Sequence, residues 1–147
     1  MSRKNPIPSI KSVMTPFPYA VELDKPISEA KALMSAHDIR HLPVTDHGKL
    51  CGVITERDIR RVLDPVFGLP PENELKVSSV FVADAYVVRT TERLDRVLSV
   101  MAARHLGSAL VVKGEKLAGI FTVTDACRHF CEFLRSQLPT TGGHDAA

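Results

Sequence analysis

Two heptapeptides of this chain carry the same three residues at the same spacing: Gly52, Thr55 and Asp58 in GVITERD, and Gly119, Thr122 and Asp125 in GIFTVTD. Each set sits where a β-branched run gives way to helical periodicity. A threonine at such a corner can cap orphan backbone N–H groups. A carboxylate three residues on lies in the first helical turn, where it can accept two hydrogen bonds from a vicinal diol, as an acidic residue does for ribose in dinucleotide folds. The positive end of a helix also suits an anion such as phosphate, and glycine lets backbone approach closely before the turn. Ribose plus phosphate is therefore one reading. The other is a capping box variant that needs no ligand at all. Residue types alone leave both open.

The spacing reflects a duplication. Displacing the chain by 67 positions aligns Ser12–Arg61 with Ser79–Arg128 without a gap, and 13 of the 50 pairs are identical. That is several times the expectation for unrelated sequence, and the only two tyrosines, Tyr19 and Tyr86, fall on equivalent positions. Each copy reads β-α-β-β-α. In the first, YAVEL is a short strand and a helix starts at Asp24–Pro26, with Ile27, Ala30, Leu33 and Met34 at helical spacing. RHLPVTD and LCGVIT then form a hairpin around DHGK, and a second helix follows Thr55. The second copy repeats this with YVVRT, a helix over Leu94–His105, SALVV, KLAGIF and a last helix from about Asp125. The units span residues 9–64 and 77–138. Residues 65–76, with three prolines, are read as the linker, and 139–147 as a disordered tail. Neither unit buries a comfortable core alone. The expected fold is therefore α/β (α+β): two pseudo-twofold-related units packed sheet to sheet around a central cleft.

Composition narrows the function further. With 19 basic and 17 acidic residues, the net charge of +2 carries no nucleic-acid footprint. No apolar run approaches the roughly 18 residues of a membrane span, and no signal peptide is expected. Cys51, Cys127 and Cys131 match no disulfide framework, which points to a reducing cytoplasm. In CRHFC, Cys127 and Cys131 share a helical face while His129 points away, which disfavours a metal site. His37 and His41 straddle a helix-to-strand break and read as satisfied or solvent-facing. Arg60, Arg61 and Arg128 follow the aspartates and read as i,i+3 partners or a solvated face. No catalytic constellation, P-loop or Rossmann fingerprint is present.

The stretches SVMTPFPYAVEL, RHLPV and GVITERD, with their counterparts SSVFVADAYVV, GSALV and GIFTVTD, resemble a tandem pair of CBS domains, the cystathionine-β-synthase-type arrangement called a Bateman module. The resemblance covers about residues 9–138. It implies a cleft that binds adenosine-containing ligands such as AMP, ADP, ATP or S-adenosylmethionine, with no cofactor required. Asp58 and Asp125 would hold ribose hydroxyls, with Thr55 and Thr122 beside the ribose-phosphate. Tyr19 and Ala20, and Tyr86 and Val87, would wall the adenine together with the strand starts His41-Leu42-Pro43 and Ser108-Ala109-Leu110. Arg57 would contact phosphate in one site only, since Thr124 replaces it in the other copy. The second copy also lacks the MTP of the first and has Leu110 where the first has Pro43. The implied function is a non-enzymatic, homodimeric sensor that signals to a regulated protein by ligand-dependent packing. The alternative is a structural or interaction module with vestigial sites. An enzyme would need a base or metal poised at the phosphate; only Glu56 is nearby in sequence, and Val123 replaces it in the second copy.

Overall fold

In the computed structural model, which describes residues 6–138, the first unit comprises β2 (Val21–Glu22), α1 (Ile27–His37), β3 (His41–Asp46), β4 (Lys49–Thr55) and α2 (Glu56–Val62). The second comprises β5 (Val87–Arg89), α3 (Leu94–Arg104), β6 (Ser108–Lys113), β7 (Lys116–Thr122) and α4 (Val123–Ser136). A two-residue β1 (Thr15–Pro16) precedes them. The residues expected as a disordered tail, 139–147, lie outside the described residues.

The helices follow their apolar spacing. Helix α1 buries Ile27, Ala30 and Met34, and α3 buries Val97 and Met101. Pro26 is the N-cap of α1 and so stands just outside the first turn, where it costs no hydrogen bond. Helix α4 begins at Val123, ahead of Asp125, because Thr122 caps it. Helices α1 and α3 stop on residues in the left-handed region, Asp38 (φ 51°) and His105 (φ 55°). Helices usually end this way on glycine, and the conformation strains any residue that carries a Cβ.

The strands run in the order β2-β3-β4-β7-β6-β5, with β2 parallel to β3, β5 parallel to β6 and both hairpins antiparallel. The two halves meet at β4 and β7, which pair only at Lys49 and Lys116. Between the helices and sheet of the first half lies a core of Ile27, Leu42, Val44 and Ile54; its equivalent in the second holds Val97, Ala109, Val111 and Phe121. A third cluster, Val53, Leu110 and Ile120, joins β4 of the first half to β6 and β7 of the second. The mixed α+β architecture of two related units matches the expected fold.

The chain also laces the halves together. Ile10 is fully buried in the second core, and Val77, its equivalent, is fully buried in the first. Backbone bonds hold each crossing: Ile10 N–H donates to Glu92 O at 2.8 Å, and Val77 N–H donates to Lys25 O at 2.8 Å. Val82 and Val53 exchange N–H···O bonds of 2.8 and 3.0 Å, and β1 pairs with β7 in the same way. Burying such an aliphatic side chain contributes about 2 kcal/mol, so each half stabilises the other through its leading segment. The shared glycines permit this crossing. A Cβ on Gly52 would fall on the carbonyl oxygen of Val82, and one on Gly119 would meet Met14 and Thr15. Their close approach is to the other half of the protein.

Candidate ligand-binding cleft

Both Thr-x-x-Asp sets form complete capping boxes. Asp58 N–H donates to Thr55 Oγ1 at 3.2 Å, while Thr55 N–H donates back to Asp58 Oδ2 at 3.0 Å. The Thr122–Asp125 pair repeats this at 3.2 and 2.9 Å. Each threonine hydroxyl also donates to the same Oδ2. Capping thus engages one carboxylate oxygen of each aspartate. The Oδ1 of buried Asp125 accepts from Arg128 Nη1 at 3.2 Å, whereas that of Asp58 has no protein donor among the described residues. The two readings of the motif are therefore compatible, since a capped corner still holds a carboxylate oxygen beyond the cap.

The halves build their cavities crosswise. One cavity of about 590 Å³ joins Tyr19, His41 and Pro43 of the first copy to Thr122, Thr124 and Asp125 of the second, with Asp38, Arg40 and Arg128 beside them. Tyr19 stacks on His37, with ring centroids 3.6 Å apart and planes 12° from parallel, and its ring is about half exposed. A second cavity of about 850 Å³ joins Thr55, Glu56 and Arg57 of the first copy to Met101, His105, Leu106 and Gly107 of the second. The strained residues Asp38 and His105 fall one in each cavity, at equivalent positions.

His41 and Arg40 line both cavities. Burial pushes the His41 imidazole below its usual range, with Asp58 pulling the other way and Arg40 adding to the depression. The ring lies against Gly107, where a Cβ would collide with Nε2. Arg40, whose counterpart is Gly107, is a site residue that motif reading missed. It opens the RHLPV stretch one position ahead of the first strand residue, His41, and only tertiary contact shows it between the cavities.

Several expected wall residues are placed elsewhere. Side chains alternate along a strand, so Leu42 and Ala109 point away from the cleft into the helix-facing cores. Leu110 is fully buried in the cluster with Val53 and Ile120. Ala20 is half-buried beside the Tyr19 cavity without lining it. Tyr86 packs on the second core, and burial raises the pKa of its phenol. Val87 lines a small depression near Cys51 at the other end of the sheet. Ser108 pairs with Thr122 next to Gly107 and lines neither cavity. Asp58 is half-buried in its cap and lines neither cavity. Among the residues weighed for other roles, Arg60 bonds Glu56 at 2.7 Å, and His129 hydrogen-bonds Val13 O at 3.2 Å. Among the described residues, no three His, Cys, Asp or Glu side chains gather as metal ligands.

The CBS domain profile matches this chain twice, over residues 10–65 and 77–132. The chain belongs to the CBS domain family. Its CBS pair is 29% identical over 129 residues to L-aspartate semialdehyde sulfurtransferase of Methanocaldococcus jannaschii, covering 86% of this chain but only 24% of that enzyme. It is 31% identical to protein YlbB of Bacillus subtilis, covering 79% of this chain and 78% of YlbB. Among solved structures, it resembles the CBS domain pair of protein MJ0100 in complex with 5′-methylthioadenosine and S-adenosyl-L-methionine. That likeness has a TM-score of 0.76 and 28% identity, covering 87% of this chain and 99% of the other. The crossed arrangement of walls and caps is thus built on a CBS pair.

Proposed function

We propose that this CBS pair is a regulatory module without a catalytic step of its own, binding AMP, ADP, ATP or S-adenosylmethionine in the cleft. The observation that carries the reading is the Tyr19 cavity. It sets an exposed aromatic face and Pro43 from one copy opposite Thr122 and buried Asp125 from the other. An aromatic wall suits a purine, and a carboxylate at a helix start suits a ribose diol. A CBS pair of similar structure holds two adenosine-containing ligands, which supports the same ligand class here.

The signal would be a change in how the halves or two copies pack. Its size is bounded by the ligand's differential affinity for the two arrangements. A homodimer is the expected assembly, because Phe130, Phe133 and Leu134 of α4 are all exposed. The three unbridged cysteines suit the cytoplasm, where a regulated protein would read the signal. Titration calorimetry with AMP, ADP, ATP and S-adenosylmethionine tests the reading. We expect saturable heat with at least one of them; no heat with any, on folded protein, leaves only a structural module.

A further inference from the structure

The two cavities differ in charge. Three guanidinium groups, Arg40, Arg57 and Arg60, face the larger cavity against a single carboxylate, Glu56. That carboxylate is already committed, with Arg60 Nη2 at 2.7 Å from Oε1 and Arg40 Nε at 3.6 Å from Oε2. Arg57 is left without an ionic partner among the described residues, exposed at the cavity wall beside Thr55. In the Tyr19 cavity, Arg40 and Arg128 are balanced by Asp38 and Asp125, and Arg128 is bonded to Asp125. The equivalent of Arg57 there is Thr124, which is uncharged.

On the adenosine reading above, we propose that the cavities sort ligands by charge: the Arg57 cavity takes only an adenosine bearing phosphates, while the Tyr19 cavity also takes an uncharged one. Met101, Leu106 and Val123 give the Arg57 cavity an apolar side for a base, and its rings are the imidazoles of His41 and His105, with no tyrosine like Tyr19 among them. The excess of guanidinium over carboxylate groups there favours an anion. Guanidinium groups bind phosphate oxygens through charge-assisted hydrogen bonds in fork geometry. A neutral thioether nucleoside offers nothing to the unpaired Arg57. S-adenosylmethionine, whose sulfonium and ammonium groups outnumber its carboxylate, meets like charge there. In the Tyr19 cavity the zero net charge neither rewards phosphate nor repels its absence.

The test is calorimetry on the whole chain with ATP and 5′-methylthioadenosine as probes, at low and at moderate salt. We expect 5′-methylthioadenosine to fill one site per chain and ATP two, the second ATP site weakening with salt. Inorganic tripolyphosphate should compete for that second site alone. Arg57→Thr, which copies the other half, should weaken the second ATP site about tenfold and leave 5′-methylthioadenosine untouched. Arg57→Lys should restore part of the loss. Two 5′-methylthioadenosine sites per chain, a single ATP site, or an Arg57→Thr variant that binds ATP like the parent each overturns the proposal and leaves the adenosine reading standing. Failure of both probes to bind overturns the two together.

Discussion

Asp125 divides its carboxylate between its own helix and Arg128, so a ligand diol must share or displace the Arg128 contact at Oδ1. Asp125→Ala should therefore have two separable effects. Loss of the cap should cost about 1 kcal/mol in urea denaturation, and the Tyr19 cavity should lose adenosine binding. A variant with the stability loss and unchanged binding would show that the aspartate only caps. His41 makes a different prediction. Burial depresses its folded pKa, so the unfolded chain binds the extra proton more readily. Stability then rises with pH across this window and falls as pH drops below the ordinary imidazole value of about 6.5. Melting temperature should fall more between about pH 7.5 and about 5.5 in the parent than in His41→Gln. Equal slopes would mean that the imidazole is not held neutral by the fold.

At the scale of elements, the two motif glycines serve the crossing of one half over the other. A Cβ at position 52 meets a backbone carbonyl, Val82 O, that is itself hydrogen-bonded to β4. At position 119 the nearest atom is the flexible Met14 thioether, although Thr15 O lies 2.9 Å from the built Cβ. Gly52→Ala should cost about 2–3 kcal/mol and Gly119→Ala about 1, as overpacking typically does. Urea melts of the two variants check the order, and the reverse order would remove this explanation of the repeat. The elements themselves were legible from the sequence. Ile27, Ala30 and Met34 marked α1, and RHLPVTD, followed by the turn residues of DHGK, marked β3. What those runs did not mark is which residues of β3 and β6 face the cleft. Leu42 and Pro43 are neighbours in sequence, yet one belongs to the helix-facing core and the other lines the cleft.

For the whole molecule, the apolar surface repeats with the duplication. Phe133 and Leu134 of α4 are exposed, and so are Val66 and Phe67, the residues 67 positions earlier. A helix of 14 residues is only about 21 Å long. It cannot by itself supply the roughly 800 Å² per partner of a stable interface, so a dimer formed through this surface would need both patches. Light scattering should show a dimer, and Phe133→Glu combined with Leu134→Glu should give a folded monomer. A parent chain that is monomeric throughout would place the signal within one CBS pair.

The duplication, the order of elements and the Thr-x-x-Asp corners were determined by the sequence alone, because caps and periodicity act over a few residues and the copies can be compared directly. The partnership of those corners was decided only in three dimensions. Tyr19 and Pro43 share a cavity with Asp125, Arg57 shares one with Gly107, and Ile10 completes a core whose other buried members begin at Val88. A repeat makes the two halves equivalent in sequence, and that equivalence cannot distinguish a segment packed on its own copy from one packed on the other. Burying Ile10 and Val77 across the pseudo-twofold, with glycine opening the way at positions 52 and 119, settles the question.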